Sequence, residues 1–216
     1  MVAAPNTIQD YNWTEEAPYN WTYISPCIFK LVESLELSRV LDLGSGNGKF
    51  CGALARRCSL VVGVEFDQNG CDIASRSYPE IDFYCYGVQD DPRLVAQKYP
   101  EGFDAVISTE VIEHLYLPRQ LTQYASAFLR PGGYLILSTP YHGYLKNLAL
   151  ALLGKWDHHH TALSDGGHIK FWSRKTLETL LRQENFEVVG FHGVGRWPWM
   201  WKSMVVVARL KAENRT

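Results

Sequence analysis

The stretch VLDLGSGNG at residues 40–48 decides the fold. The apolar run Arg39 to Leu43 predicts a short strand that ends at Gly44, and Lys49 to Arg57 predicts the helix that follows. Because Gly44 and Gly46 lack side chains, the backbone there can turn sharply and approach a ligand closely. A glycine-rich turn between a strand and a helix places backbone N–H groups near the start of the helix, where they can bind a ligand. The stretch therefore predicts a ligand-binding loop.

The same alternation of strands and helices continues through the rest of the chain. Further strands are predicted at residues 60–64, 81–86, 103–108, 134–138, 186–191 and 203–210, and further helices at residues 25–35, 68–77, 91–98, 118–129 and 173–184. This pattern predicts an α/β fold with a doubly wound, mostly parallel sheet. A short connection precedes the last strand, which we expect to be antiparallel. Such a sheet binds its ligand beyond the carboxyl ends of its strands, near Gly44, Glu65 and Glu110.

The chain of 216 residues suits a single domain with two additional segments. Residues 1–24 are polar and aromatic without periodicity and predict an irregular N-terminal arm. The main domain is expected over residues 25–216, with Ser25 capping its first helix and Pro26 in the first turn. Residues 141–167 interrupt the alternation and predict an insertion or lid. A turn is predicted at residues 131–133.

Composition excludes several classes of protein. The net charge is −2, from 21 Lys and Arg against 23 Asp and Glu, so no bulk charge attracts nucleic acid. With 46% hydrophobic and 20% charged residues, the chain is not expected to be disordered. The longest apolar run, residues 148–153, is too short to span a bilayer, and residues 1–10 lack a signal-peptide pattern. The five cysteines show no CxxC spacing, which indicates reduced thiols and a cytoplasmic protein.

Two acidic residues indicate the kind of ligand. Asp42 lies at the end of its strand, where a carboxylate would repel a pyrophosphate and suits a cationic group instead. The glycine spacing is G-x-G-x-G, which differs from the G-x-G-x-x-G pattern of dinucleotide-binding loops. Glu65, at the end of the next strand, is placed to accept hydrogen bonds from ribose hydroxyls.

These residues resemble motif I and the acidic ribose-binding position of class I S-adenosylmethionine-dependent methyltransferases, and the resemblance covers roughly residues 37–210. It implies a Rossmann-like, seven-stranded class I methyltransferase fold, with S-adenosyl-L-methionine as cofactor. Asp42 and the glycine loop would hold the methionine portion, Glu65 the ribose hydroxyls, and Phe66 the adenine. The candidate cofactor-binding residues are Asp42, Gly44, Gly46, Gly48, Glu65, Phe66, Gln89 and Thr109.

A second group of chemically active residues, STEVIEH at residues 108–114, directly follows the fourth strand. If Glu110 opens a helical turn, Glu113 and His114 lie on the same face. Two carboxylates and an imidazole can hold a divalent ion or form a base with its orienting acid. Alternatively, Glu113 caps a backbone amide and His114 packs against the sheet.

The stretch EVIEHL resembles the E-x-x-E-H of UbiG-like polyprenyl-dihydroxybenzoate O-methyltransferases. The same pattern occurs in small-RNA 3′-terminal 2′-O-methyltransferases, whose divalent ion also takes a later histidine; His168 is the candidate here. The resemblance implies Glu110, Glu113 and His114 as catalytic residues and, together with His168, as ligands of a divalent cation (Mg²⁺, Mn²⁺ or Zn²⁺). The predicted function is O-methylation of a small apolar or aromatic hydroxylated metabolite.

Three alternatives remain open: a small-molecule N-methyltransferase with His114 as base, an RNA 3′-terminal 2′-O-methyltransferase, and a non-catalytic domain that binds S-adenosylmethionine. The expected partner is a small-molecule methyl acceptor rather than nucleic acid.

The apolar stretch 144–156 is expected to form a lid or wall for the acceptor, with peripheral membrane contact or burial in the core as alternatives. The run His158 to His160 predicts a solvated loop, although one of these residues or His142 could reach the acceptor as base. Trp197, Trp199 and Trp201 would either plug the sheet edge or wall the acceptor pocket. The oligomeric state is not predicted.

Overall fold

Seven strands form one mixed sheet in the computed structural model, which describes residues 11, 13–160 and 166–211. The strand order is β3-β2-β1-β4-β5-β7-β6. The strands are β1 (Arg39–Leu43), β2 (Leu60–Glu65), β3 (Asp82–Cys85), β4 (Phe103–Thr109), β5 (Leu129–Pro140), β6 (Phe186–Val194) and β7 (Ser203–Leu210). Parts of the predicted arm (residues 1–10 and 12) and insertion (161–165), and residues 212–216, lie outside the described residues.

Strand β7 runs antiparallel to its neighbours β5 and β6, whereas the other paired strands are parallel. The predicted seven-stranded fold with an antiparallel last strand is therefore confirmed. The order reverses between β1 and β4, where chain connections leave toward opposite edges of the sheet. A crevice forms at such a switch point, beyond the carboxyl ends of the strands.

Helices cover both faces of the sheet. They are α1 (Trp21–Ser34), α2 (Lys49–Leu54), α3 (Gln68–Ser77), α4 (Arg93–Lys98), α5 (Pro118–Phe128), α6 (Tyr144–Leu152), α7 (Trp156–His160) and α8 (Arg174–Gln183). A single 3₁₀ turn spans Ile112–His114. A capping box starts the last helix, because the side chains of Ser173 and Thr176 each accept a hydrogen bond from the other's backbone N–H.

The core consists of two apolar layers separated by the sheet. Along β1, Leu41 and Leu43 face one layer and Val40 faces the other, as the two-residue period of a strand requires. Every residue of β1 after Arg39 is buried, which is expected for a central parallel strand with helices on both faces. The central strands are thus held rigidly, and so are the loops at their ends.

The first helix begins at Trp21, so the predicted start at Ser25 is wrong. Pro26 lies inside the helix, and the Ser25 hydroxyl donates to the Trp21 carbonyl within it. The longer helix buries Ile24 against the same layer as Ile28, one turn later. Burial of an apolar stripe therefore outweighs the local capping signal.

Three other elements differ from their predictions. Helix α2 ends at Leu54 rather than Arg57, and turns follow it. Residues 131–133 belong to a bulged part of β5 rather than to a free turn, because Leu129 pairs with Phe103 and Tyr134 pairs with Ala105. The predicted solvated loop at residues 158–160 is wrong, since these residues form the end of α7.

The insertion turns apolar side chains outward. Tyr144, Leu152, Leu153 and Trp156 are exposed, whereas Lys146 is buried, so burial of this stretch in the core is excluded. Trp197 and Trp199 are exposed as well, and only Trp201 of that group packs against the sheet edge, on Tyr141 and Phe191. Across the described residues, no helix combines the length and hydropathy that crossing a membrane requires. Membrane contact through residues 144–156 stays a prediction.

Two glycines provide a matched test of packing around the loop. Gly48 and Gly154 both have positive φ, +74° and +61°. A Cβ at Gly48 would lie 2.8 Å from Ala74 Cβ and 2.9 Å from Phe83 Cζ, whereas a Cβ at Gly154 would meet nothing within 4 Å. We expect Gly154→Ala to lower the free energy of unfolding by about 1 kcal/mol, the cost of the left-handed backbone alone. Gly48→Ala should lower it by about 3 kcal/mol, because overpacking adds to that cost.

Urea unfolding of the two variants and the parent chain measures this difference. Equal losses for the two variants would show that Gly48 is required only for its backbone conformation and not for close packing of α2 on α3.

Candidate active site

The glycine loop packs directly against the segment that follows β4. Gly44 has a φ of +86°, and a Cβ added to it would collide with Val111. The N–H groups of Gly44 and Ser45 both donate to the Val64 carbonyl at the end of β2. Close approach thus brings the ends of β1, β2 and β4 to one place.

Asp42 is a buried carboxylate with one free oxygen. The side chain is 1% exposed, and its Oδ2 accepts a hydrogen bond from Cys51 Sγ at 3.2 Å. Its Oδ1 is buried without a partner among the described residues. Burial raises the pKa of Asp42 to about 7, partly offset by the Cys51 thiol. A buried acceptor without a partner is costly, so this oxygen suits a cationic donor on a ligand.

Glu65 fastens the glycine loop to the end of β2. Its Oε2 accepts from the Gly46 N–H at 2.6 Å, and its Oε1 accepts from the Asp67 N–H at 2.9 Å. Burial raises the pKa of Glu65, and these backbone donors oppose the shift. A carboxylate offers about four lone-pair directions, so Glu65 retains acceptor capacity toward the neighbouring space.

A cavity of about 560 Å³ lies beyond these strand ends. Six of the predicted cofactor-binding residues line it: Asp42, Gly44, Glu65, Phe66, Gln89 and Thr109. Gly46 and Gly48 do not. Gly46 lies beneath the Trp13 ring, and Gly48 packs against Ala74 and Phe83. The two glycines therefore shape the loop and its packing instead of lining the space.

Part of the cavity wall comes from aromatic residues of the arm that sequence reasoning did not assign to the site. They are Tyr11, Trp13, Tyr19 and, at the start of α1, Trp21. Asn47 Nδ2 holds the arm by donating to the Thr14 carbonyl at 2.6 Å and the Glu16 carbonyl at 2.7 Å. The available signal was the density of Tyr and Trp in an otherwise polar segment.

Glu110 follows β4 in a left-handed backbone conformation, with a φ of 55°. The helical turn begins only at Ile112, so the expectation that Glu110 opens it is wrong. The carboxylate accepts from Ser138 Oγ at 2.8 Å and from Ser203 Oγ at 3.2 Å. Desolvation raises the pKa of Glu110 to about 7, opposed by the two serine hydroxyls. These hydroxyls on β5 and β7 direct the side chain.

Glu113 is fully buried, and one of its oxygens has no hydrogen-bond partner in the described part of the chain. Its Oε2 accepts from Thr139 Oγ1 at 3.0 Å, whereas the unpartnered Oε1 lies 3.9 Å from His168 Nε2. Burial, followed by the nearby Glu110 charge, raises the pKa of Glu113 well above its usual range. The Glu113 carbonyl accepts from the N–H groups of Ile169 and Lys170, which brings His168 to this place.

His114 and His168 complete a three-residue group with Glu113. His114 Nδ1 lies 2.7 Å from the Gly166 carbonyl oxygen, and the two imidazole centroids are 4.9 Å apart. Glu113, His114 and His168 offer ligand atoms that all lie within 4.8 Å of one another. Burial lowers the pKa of His114, and burial with the neighbouring His114 lowers that of His168 to about 4. Glu110, the fourth predicted metal ligand, lies outside this group.

Side chains that follow β4 and the glycine loop line one and the same cavity. Glu110, His114 and His168 line the same space as Asp42 and Glu65. Of the described residues 141–160, none lines it, so the predicted lid or acceptor-wall role of the insertion stays a prediction. A ligand bound to the glycine loop would thus face the titratable side chains that follow β4 in the chain.

Comparisons with known proteins concern the family and the fold of the chain. A family model described as a methyltransferase domain matches residues 22–190. The ubiquinone biosynthesis O-methyltransferase of Bradyrhizobium diazoefficiens is 35% identical over 121 residues, which cover 54% of this chain and 45% of that protein. The chain spans about half the length of the curated relatives it matches.

Solved structures share the fold at lower identity. Magnesium protoporphyrin IX methyltransferase from Synechocystis PCC 6803, solved with bound SAH, gives a TM-score of 0.64 at 16% identity, covering 87% of this chain and 82% of that one. The methyltransferase domain of the bacterial Hen1 protein CtHen1-CN gives a TM-score of 0.64 at 22% identity, with coverage of 86% and 97%.

The raised pKa of Asp42 predicts a pH-dependent stability of the unliganded chain. In the unfolded chain this carboxyl loses its proton at roughly pH 4, but in the folded chain it does so at about pH 7. Between these values the folded chain binds more protons, so the free energy of unfolding falls as the pH rises. We expect Asp42→Asn to reduce the fall between pH 5 and pH 8, measured by urea unfolding.

Asp91→Asn is the matched control. The Arg93 side chain lowers the pKa of Asp91, so its titration lies below this window and the variant should keep the parent's slope. An Asp42→Asn variant with the parent's pH dependence would show that Asp42 is ionised throughout the window.

Proposed function

The chain belongs to the methyltransferase domain family, and on this basis we propose that it transfers a methyl group from S-adenosylmethionine to a hydroxyl of a small, apolar or aromatic acceptor. The observation that carries the proposal is the shared cavity. Asp42 and Glu65 line this cavity on one side, and Glu110 and His114 line it on the other. Methyl transfer requires this arrangement, because donor and acceptor must meet in line within one enclosed space.

The residues on the loop side fit the cofactor. Asp42 Oδ1, buried and without a partner, is an acceptor for the ammonium group of the methionine portion. Glu65 has remaining acceptor capacity for the ribose hydroxyls, and Phe66, which is 39% exposed, offers an apolar face for the adenine. The cofactor's sulfonium supplies an activated methyl group. The protein therefore has only to orient the two reactants and accept a proton.

His114 is the base that we propose for a hydroxyl acceptor. A carbonyl oxygen only accepts hydrogen bonds, so the contact with the Gly166 carbonyl requires a proton on His114 Nδ1. In the neutral ring Nε2 then carries the free lone pair. The lowered pKa of His114 keeps the ring neutral at physiological pH, ready to take the acceptor's proton.

The same residues also fit a divalent ion. Glu113 Oε1 is buried without a hydrogen bond, and the imidazoles of His114 and His168 lie beside it. We propose these three residues as ligands, with nitrogen donors that suit Mn²⁺, Fe²⁺ or Zn²⁺ at least as well as Mg²⁺. A bound ion would supply a lowered pKa for the acceptor hydroxyl. In that case His114 would act as a ligand, and the base would be solvent.

The alternatives differ in what accepts the methyl group. An amine acceptor needs no metal, only a group such as His114 to receive its proton. The net charge of −2 gives no support to an RNA acceptor. A chain that binds the cofactor but methylates no acceptor would be a non-catalytic binding domain.

Cofactor binding is tested with two ligands that differ in one portion. We expect Asp42→Asn to weaken S-adenosylhomocysteine binding about tenfold or more, because a charged hydrogen bond is lost. It should leave 5′-methylthioadenosine, which lacks the amino-acid portion, unaffected. Glu65→Gln should weaken both ligands, because both contain the ribose. Isothermal titration calorimetry measures the four affinities. Equal losses for both ligands in Asp42→Asn would contradict the proposed position of the methionine portion.

The metal and the acceptor are tested together. Mg²⁺, Mn²⁺ and Zn²⁺ are titrated into metal-stripped chain saturated with S-adenosylhomocysteine. We expect Glu113→Gln to remove one binding event that Glu110→Gln retains, because only Glu113 lies in the three-residue group. The acceptor is then sought with radiolabelled cofactor and a matched panel of alkyl-substituted catechols, phenols and anilines.

Metal-stimulated labelling of catechols, lost in Glu113→Gln, is the expected result. The same number of binding events in Glu113→Gln as in the parent chain, together with labelling of anilines only, would overturn the O-methylation proposal in favour of an amine acceptor.

A further inference from the structure

Three histidines outside the proposed active site converge where the insertion returns to the sheet. His142 lies two residues after the end of β5, and His159 and His160 end α7. The His142 ring centroid lies 6.0 Å from that of His159 and 5.6 Å from that of His160, and the latter two are 4.9 Å apart. Their ligand atoms all lie within 4.8 Å of one another. Residues 17 positions apart in sequence thus present imidazole nitrogens to one point.

Among the residues that the structure describes, two of the imidazole nitrogens are buried without a partner. His142 is 7% exposed, and its backbone N–H donates to the Trp172 carbonyl, whereas its Nε2 has no hydrogen-bond partner in the described residues. His160 Nε2 is likewise buried without a hydrogen bond within the described part of the chain. Buried, unsatisfied nitrogens on two neighbouring imidazoles are costly unless a further group satisfies them.

The surroundings favour neutral imidazoles. Phe171 packs edge-on against both His142 and His160, at 5.1 and 5.0 Å, and the Trp156 ring lies 4.2 Å from His160. Burial, followed by the charge of Lys146, lowers the pKa of His142 to about 3 and that of His159 to about 4. A neutral imidazole is the form that binds metal.

Lys146 is the cation whose charge acts on all three histidines. Its Nζ donates to the Tyr141 carbonyl at 2.8 Å and to the Lys202 carbonyl at 3.4 Å. Burial lowers the pKa of Lys146 to about 8, so the repulsion it exerts on a bound cation decreases as the pH rises through 8. Arg196 also acts on this region, through the pKa values of Lys146 and His159.

We propose that His142, His159 and His160 form a metal site, separate from the Glu113 group, for a divalent transition ion of the Zn²⁺, Ni²⁺ or Cu²⁺ class. Three imidazoles without a carboxylate select such ions over Mg²⁺ and Ca²⁺, which prefer oxygen ligands. Zinc–nitrogen bonds of about 2.0–2.1 Å in a tetrahedral site separate ligand nitrogens by about 3.4 Å, so the nitrogens, which now lie within 4.8 Å of one another, have to approach by at most about 1.4 Å. His159 and His160 are only partly buried, which leaves a fourth position open to water or an anion.

A metal bound at this site would cross-link two parts of the insertion. A metal bound to these residues joins α7 to the end of β5 and closes the intervening segment, whose helix α6 carries the exposed apolar residues. Part of the free energy of metal binding would stabilise the ordered conformation of this segment. The inference does not depend on the chemistry of the methyl acceptor.

The test uses the full chain without an affinity tag, stripped with a chelator. Zn²⁺ is titrated against a competing chromophoric chelator, in a Glu113→Gln/His168→Ala background that disables the other group. We expect one equivalent to remain, and His160→Ala to weaken it about a hundredfold or more, since loss of even an outer-shell partner costs 10–100-fold. His158→Ala is the matched control: its exposed, adjacent imidazole lies outside the cluster, so affinity should not change.

X-ray absorption at the zinc edge then counts the ligands, with three imidazoles expected. Circular dichroism of the metal-free variants checks that each is folded, and His160→Gln provides a second variant of similar size. An equal loss in His158→Ala would identify a loose polyhistidine segment and overturn the proposal. So would the absence of any Zn²⁺ binding in the Glu113→Gln/His168→Ala background.

Discussion

The hydrogen bond from the Gly46 N–H to the Glu65 carboxylate holds the centre of the molecule together. It joins the turn after β1 to the end of β2 at 2.6 Å, inside a region where burial disfavours the charge. A buried carboxylate is costly unless hydrogen-bond donors satisfy it, and two backbone N–H groups, of Gly46 and Asp67, do so here. The loop geometry, the position of the buried Asp42 carboxylate and the cavity beside it all depend on this bond. A ligand hydroxyl that binds Glu65 would therefore add to an existing network and need not build one.

The switch point between β1 and β4 supplies the second constraint. Ser108 Oγ on β4 donates to the Leu43 carbonyl on β1 at 2.7 Å, so the two strand ends are held side by side. Whatever follows β4 must then lie opposite the glycine loop. Glu110 and His114 reach the cavity for this topological reason, although the left-handed conformation of Glu110 separates its carboxylate from the group around Glu113.

Much of the fold could be predicted because it follows from local patterns. Apolar runs such as Leu60 to Glu65 form strands, and VLDLGSGNG forms the loop, since both depend on neighbours in sequence. The errors arose where distant contacts decide the structure. Ile24 extends α1 past the Ser25 cap, and serine hydroxyls on β5 and β7 orient Glu110. The aromatic wall of the arm could not be located, because no periodic pattern tied Trp13 to the loop beneath it.

The arm contacts have a kinetic consequence. Trp13 lies on Gly46, and two hydrogen bonds from Asn47 hold Thr14 and Glu16 across the loop. A molecule seated on the loop would leave past side chains of this arm, so its residence time would depend on how often those contacts break. The opening of the arm, and not the methyl-transfer step, would then set the rate at which the used cofactor is exchanged.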